Sequence, residues 1–151
     1  MSQVGEVYDD GTIRLEVVVS AAESDGQLHE MRATYAAGSP LPPAHLHPDQ
    51  DERFEVHEGA LRFLLDDEEH VVEAGHGIDI PRGTVHQVHN PGEVPAVASW
   101  QTRPALRTGE FHASLDATRR AEDWDGLLAT LRDFPDVFRM VPDPFAEQTD
   151  H

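Results

Sequence analysis

The chain has 151 residues, 29 acidic against 11 basic side chains, a formal net charge of −18 and no cysteine. One domain with a real core is expected at this length; disulfides and thiolate metal sites are excluded, and nucleic acid is excluded as a partner by a surface with no basic stripe. No apolar run approaches the roughly 18 residues that span a bilayer, and Met1 to Glu6 lacks the basic-then-apolar pattern of a secretory leader, so a soluble, cytoplasmic protein without membrane contact is expected.

Residues 6 to 102 read as a succession of short strands. Thr12 to Val19 is β-branched and partly alternating, and Ser24-Asp25-Gly26 reads as a turn into Gln27 to Ala36, where Met31, Ala33 and Tyr35 share one face. Gly38 to Pro43 is a stiff connector, because proline fixes φ and removes donors. Strands are then expected at Ala44 to His47, Arg53 to His57, Ala60 to Leu65, His70 to Ala74, Ile78 to Ile80, Val85 to His89 and Val94 to Thr102. Glu58-Gly59, Asp66 to Glu69 and Asn90-Pro91-Gly92-Glu93 supply the hairpin turns. Many short strands with no helix between them predict an all-β fold, a small antiparallel barrel or sandwich.

After Arg103-Pro104 the pattern turns helical, with Thr108 as the predicted N-cap before Phe111 and Leu115. Trp124, Leu127, Leu128, Leu131 and Phe134 form an apolar stripe on one helix face. Pro135 stops it. Val137 to Val141 follows, then an acidic, Pro-rich end expected to fray. The division predicted is a β-barrel domain over 1–106 and a helical extension over 107–151. That extension either lids its own barrel or packs in a homodimer interface.

Four side chains carry the chemistry. His45 and His47 stand two apart on a strand, on the same face and roughly 7 Å apart along the chain, so their imidazoles can converge on one ion. Glu52 lies beyond the turn material Pro48 to Asp51 and opens the next strand; His86 follows the tight Pro81-Arg82-Gly83 corner. Three imidazoles and one carboxylate suit one divalent transition metal: iron, manganese, nickel, copper or zinc. On an octahedral ion two positions stay open for substrate or oxygen.

The spacing resembles the cupins. Gly38, His45, His47, Glu52 and Gly59 follow that family's first motif, with one residue more than usual between Gly38 and His45. Gly75, Pro81, Gly83, His86 and Asn90, the chain's only asparagine, follow the second with every gap matching. The resemblance spans residues 38–90 and implies a double-stranded β-helix of jelly-roll type, with His45, His47, Glu52 and His86 as the metal ligands inside it. Cupins include dioxygenases, isomerases, lyases, storage proteins and sensing domains. The expected function is therefore a metal-dependent enzyme of the oxygenase type acting on a small organic molecule. Its rival is a non-catalytic binding or sensing module whose metal is structural or holds a ligand.

Strand parity with Glu52 adds Phe54 and Val56 to the expected pocket wall, together with Phe63, Val88 and Trp100. No general base separate from the ligands is evident. His57, His70, His76 and His89 are expected at the surface or in turns, with His89 opposed to His86 in parity and facing away from the metal. The acidic excess has two readings. Molar salt screens over about 3 Å and lets carboxylates keep a protein hydrated; a GC-rich coding bias explains the complete absence of Lys but not the excess of Asp and Glu.

Overall fold

The computed structural model describes residues 3–145. Two antiparallel sheets face each other. The first runs in the order β1 (Val7–Asp9), β2 (Ile13–Val19), β3 (His29–Tyr35), β10 (Ala96–Arg103), β5 (Asp51–Glu58), β8 (Gly77–Ile80). The second runs β11 (Arg139–Met140), β4 (His45–Leu46), β9 (His86–His89), β6 (Ala60–Leu65), β7 (Glu68–Glu73). This is the all-β jelly roll expected from the strand spacing. Alternation builds the interior: in β3, His29, Met31, Ala33 and Tyr35 are buried between more exposed Glu30, Arg32 and Thr34, and in β5, Glu52, Phe54 and Val56 point inward. Val17, Met31, Phe54, Leu61, Phe63 and Ile80 fill the space between the sheets.

The motif residues shape the corners. Gly59 has φ +70°, and a Cβ there would stand 2.6 Å from the Pro95 carbonyl, so no other residue fits. Asn90 is buried; its amide donates to the carbonyls of Tyr35 (3.3 Å) and Val94 (2.8 Å) and its Oδ1 accepts from Gly92 N–H (3.0 Å). The connector is held to the same corner by Gly38 N–H to the Gly92 carbonyl and Ser39 N–H to the Asn90 carbonyl.

Two expectations at element ends need correction. The turn at Ser24-Asp25-Gly26 is preceded by a helical turn, α1 (Ala21–Ser24), because Ser20 and Glu23 make a capping box and Asp25 takes the left-handed conformation that ends it. Thr108 is the first helical residue of α2 (Thr108–Arg120), and Arg107 occupies the N-cap. Thr108 is buried, and its hydroxyl accepts from Gln50 Nε2 at 2.8 Å instead of capping.

The tail folds back over its own barrel. Asp123 caps α3 (Trp124–Asp133) by accepting from Gly126 N–H, and the hydroxyls of Ser114 and Thr130 join α3 to α2 at 2.6 Å. Arg119 donates to the Asp9 carbonyl at 2.8 Å, and Phe111 stacks on Phe138. The α3 stripe divides: Leu127 and Leu131 line a cavity beneath it, while Leu128 stays 54 % exposed. The chain then enters β11, which pairs with β4 and so adds a tail strand to the barrel. The end that was expected to fray lies mainly outside the described residues. Among those described, no helix is long and apolar enough to cross a membrane.

Candidate metal centre

Three strands and one corner bring the predicted ligands together. His45 on β4 pairs directly with His86 on β9, which places their side chains side by side on one face. His47 follows two residues after His45. Asp51 fixes the Pro81-Gly83 corner by accepting from the backbone N–H (2.9 Å) and guanidinium (3.1 Å) of Arg82, while Gly83 N–H donates to the His47 carbonyl at 2.9 Å. Glu52 reaches the same space from β5 in the opposite sheet. One ring nitrogen from each of His45, His47 and His86 lies within 4.8 Å of the others.

The outer nitrogens of all three rings face backbone carbonyls: His45 Nδ1 faces Pro43 O (3.2 Å), His86 Nδ1 faces Thr84 O (2.9 Å), and His47 Nδ1 faces Val137 O. A carbonyl only accepts, so each Nδ1 carries a proton and each Nε2, the nitrogen that keeps a lone pair in a neutral ring, points inward. Nε2 of His47 and of His86 approach Glu52 Oε1 to 3.2 and 3.0 Å. Yet His47 Nε2 and Glu52 Oε1 are both buried without a hydrogen-bond partner among the described residues. With Nε2 unprotonated, acceptors face acceptors across a buried gap, an arrangement a cation reconciles. The donor set fits a nitrogen/oxygen-ligated transition ion. Trp100 Nε1–H donates to Glu52 Oε2 and turns the other carboxylate oxygen toward the imidazoles.

The electrostatics follow. Burial and the neighbouring imidazoles push the His45 pKa down to about 3, keeping it neutral. Burial opposes a charge on His47, but the Glu52 carboxylate alongside moves its pKa up overall. Burial would raise Glu52; His47 and His86 hold it well below the usual carboxylate range instead.

Above the ligands opens a cavity of about 550 Å³, walled by the barrel mouth, the β1–β2 hairpin, α2 and α3. Of the five residues expected to line it, Trp100 alone does so. Phe54, Val56, Phe63 and Val88 belong to the closed core. The alternation is as expected, but Phe54, opposite Trp100 in register and stacked on it at 5.3 Å, is packed into the core. His57 and His76 are exposed and His70 is partly so. His89 is buried instead, facing away from the centre toward the Ser39 carbonyl (3.2 Å) and Arg62.

Sequence reasoning missed the residues supplied by the tail. Val137 provides the carbonyl that orients His47, and Phe138 stacks on His45 at 4.9 Å. His112 of α2 lines the cavity, flanked by Trp100 and Phe111 and parallel to His29. Burial lowers the pKa of His112 to about 3 and that of His29 to about 4. No spacing rule links position 112 or 137 to position 47; the only signal was the apolar stripe, which required something to cover.

Residues 31–101 match the Cupin_2 family, the cupin domain. Among curated proteins none matches the chain in sequence. Solved structures of similar fold include an uncharacterized conserved protein with a double-stranded beta-helix domain from Klebsiella pneumoniae, 18% identical over 65% of this chain and 77% of that one, with TM-score 0.56. KdgF from Halomonas sp. is 19% identical over 66% and 87%, with TM-score 0.56. A recombinant oxalate oxidase in complex with glycolate is 23% identical over 70% and 59%, with TM-score 0.55. These likenesses concern the fold. The two-sheet barrel, the converging histidines and the match over residues 31–101 identify the chain as a member of the cupin superfamily.

Proposed function

We propose that this cupin is a metal-dependent enzyme of the oxygenase type, acting on a small organic molecule held between the metal centre and the helical lid. The observation that carries the reading is the set of three imidazoles locked by backbone carbonyls, with lone pairs converging on a buried carboxylate. His45, His47, His86 and Glu52 would hold one divalent ion: iron, manganese, nickel, copper or zinc. When bound, such an ion supplies Lewis acidity and, for the redox-active metals, a template that sets an organic oxygen atom beside dioxygen.

The chain's own residues do the rest. Trp100 keeps Glu52 pointed at the imidazoles. Phe138 stacks on His45 and, with Leu127 and Leu131, lines the cavity, limiting water beside the reacting groups. Residues 107–145 act as an extension that closes the mouth of its own barrel, and the assembly proposed is a homodimer, which mass in solution resolves directly.

Elemental analysis of protein from its own host, followed by oxygen uptake across phenols and dicarbonyl compounds, tests the function. One transition metal per chain and oxygen consumed with at least one compound are expected. A protein that stays metal-free after exposure to all five metals overturns the reading. A loaded protein that binds these compounds without consuming oxygen overturns the oxygenase assignment in favour of a ligand-holding cupin.

A further inference from the structure

The polar groups of the cavity away from the metal centre are unusual in kind. Gln50 is 1 % exposed and lines the cavity. Its Nε2 donates to the carbonyls of Pro104 (2.9 Å) and Ala105 (3.0 Å) and to the Thr108 hydroxyl (2.8 Å). Two of those partners can only accept, so the amide cannot be turned over, and the other end is fixed as the oxygen. That Oε1 is buried and has no hydrogen-bond partner among the described residues. A buried acceptor without a donor is costly and is normally satisfied. Across the same cavity His112 is an uncharged imidazole with aromatic neighbours, and its ring forms no hydrogen bond among the described residues.

The charges near the cavity point the same way. Asp9, Asp10 and Asp116 line it, and its one basic residue, Arg119, is already engaged by Asp116 at 2.8 Å and by the Asp9 carbonyl. Among the described residues no lining arginine is left to receive an anionic group away from the metal centre. The walls that remain are apolar, chiefly Trp100, Phe111, Leu115, Leu127 and Leu131.

We propose that the cavity selects an uncharged molecule with an aromatic or alicyclic body and a hydroxyl or amine that donates to Gln50 Oε1, and that it rejects organic anions. This rests on reading the cavity as the substrate chamber of the metal centre and narrows its substrate class. The donor requirement follows from the acceptor character of Gln50, and the rejection of anions from the acidic lining and its neutralised arginine. His112 lines the same cavity and offers a ring nitrogen for a second hydrogen bond to the same molecule.

Three probes of one shape test it: 2-naphthol, which donates; 2-methoxynaphthalene, which does not; and 2-naphthoate, which is anionic. Each is titrated into the zinc-loaded full chain, where no redox turnover occurs, and followed by tryptophan fluorescence, and the same series is run on the metal-free chain. In both forms 2-naphthol is expected to bind about tenfold tighter than 2-methoxynaphthalene, the scale of one buried hydrogen bond, with 2-naphthoate weakest. His112→Phe, which keeps an aromatic wall and leaves Gln50 intact, is expected to weaken 2-naphthol by about fivefold without altering zinc content.

Equal binding of 2-naphthol and 2-methoxynaphthalene in the metal-free chain, or 2-naphthoate binding as tightly as 2-naphthol in the zinc form, overturns the proposal. A chain that takes up no zinc, iron, manganese, nickel or copper overturns the metal-centre reading instead, and the metal-free series then still decides the ligand class. The readouts are therefore separable.

Discussion

At the scale of single residues, the centre depends on what holds each imidazole as much as on the imidazoles themselves. Glu52→Gln keeps the side-chain shape and an acceptor for Trp100 but removes the charge that faces His47 and His86. Metal affinity should fall by on the order of a hundredfold or more, beyond what loss of an orienting partner alone costs; competition with a chelator of known affinity measures it. His29 makes a different prediction. Burial depresses its pKa from 6.5 to about 4. Above pH 6.5 the ring is neutral whether folded or not, and it costs the fold nothing. Below that the unfolded chain takes up the proton first, so stability declines as pH falls from 6.5 toward 4, by about 1.4 kcal/mol per pH unit. Urea midpoints of the metal-free protein across this range should show the slope, and His29→Phe should remove about 1.4 kcal/mol per pH unit of it, leaving the parts that the likewise depressed His45 and His112 contribute. The site was legible at this scale because ligand spacing is a local property. The Gly59 and Asn90 corners were legible as motif positions too, though the crowding of Gly59 against Pro95 appears only once the chain is folded.

At the scale of elements, the β11 segment behaves as a strap. It pairs with β4, so Met140 stands opposite His45, and the residues just before it supply the Val137 carbonyl and the Phe138 ring. Phe138→Ala removes the ring stacked on His45 and one partner of Phe111. It should lower metal affinity by roughly tenfold, the lower range for loss of a supporting residue, with the donor set unchanged. Metal titration monitored by isothermal calorimetry checks this. Gly59→Ala acts at the opposite end of the barrel: the new Cβ meets the Pro95 carbonyl at 2.6 Å on a backbone of positive φ. A fall in thermal midpoint with unaltered metal stoichiometry is expected, read by circular dichroism and elemental analysis. Strands such as Ala60 to Leu65 were legible to the residue, since alternation and turn residues bound them. The strap was not. Val137 to Val141 has no alternation long enough to announce a strand, and its partner lies about ninety positions upstream. Pocket residues failed for a related reason: parity fixes which face a side chain takes, not whether it borders the cavity, and of the register partners Phe54 and Trp100 only Trp100 lines it.

Across the whole molecule, the charge of −18 sets the conditions under which the rest operates. Many surface arginines are already paired, as Arg53 is with Asp79, Arg62 with Glu69 and Arg82 with Asp51, and exposed pairs of this kind contribute little each. Most carboxylates have no such partner to offset their mutual repulsion, because 29 acids face 11 bases. If the composition is an adaptation to molar salt, thermal unfolding in multimolar KCl should occur well above its midpoint at low salt, since screening then acts over about 3 Å. Equal midpoints in the two buffers would leave coding bias as the explanation of the missing lysine and none for the acids.

The strap also orders events in time. The donors His45, His47, Glu52 and His86 leave the ribosome before Val137 and Phe138, with 51 positions between His86 and Val137. At ordinary synthesis rates that gap lasts roughly three to ten seconds. During it, all four donors have been made while the His47 ring has no carbonyl to settle its tautomer. If the proposed ion is bound, its capture is a late step of biosynthesis, and a chain that stops short of position 137 should carry the full donor set yet release its ion readily.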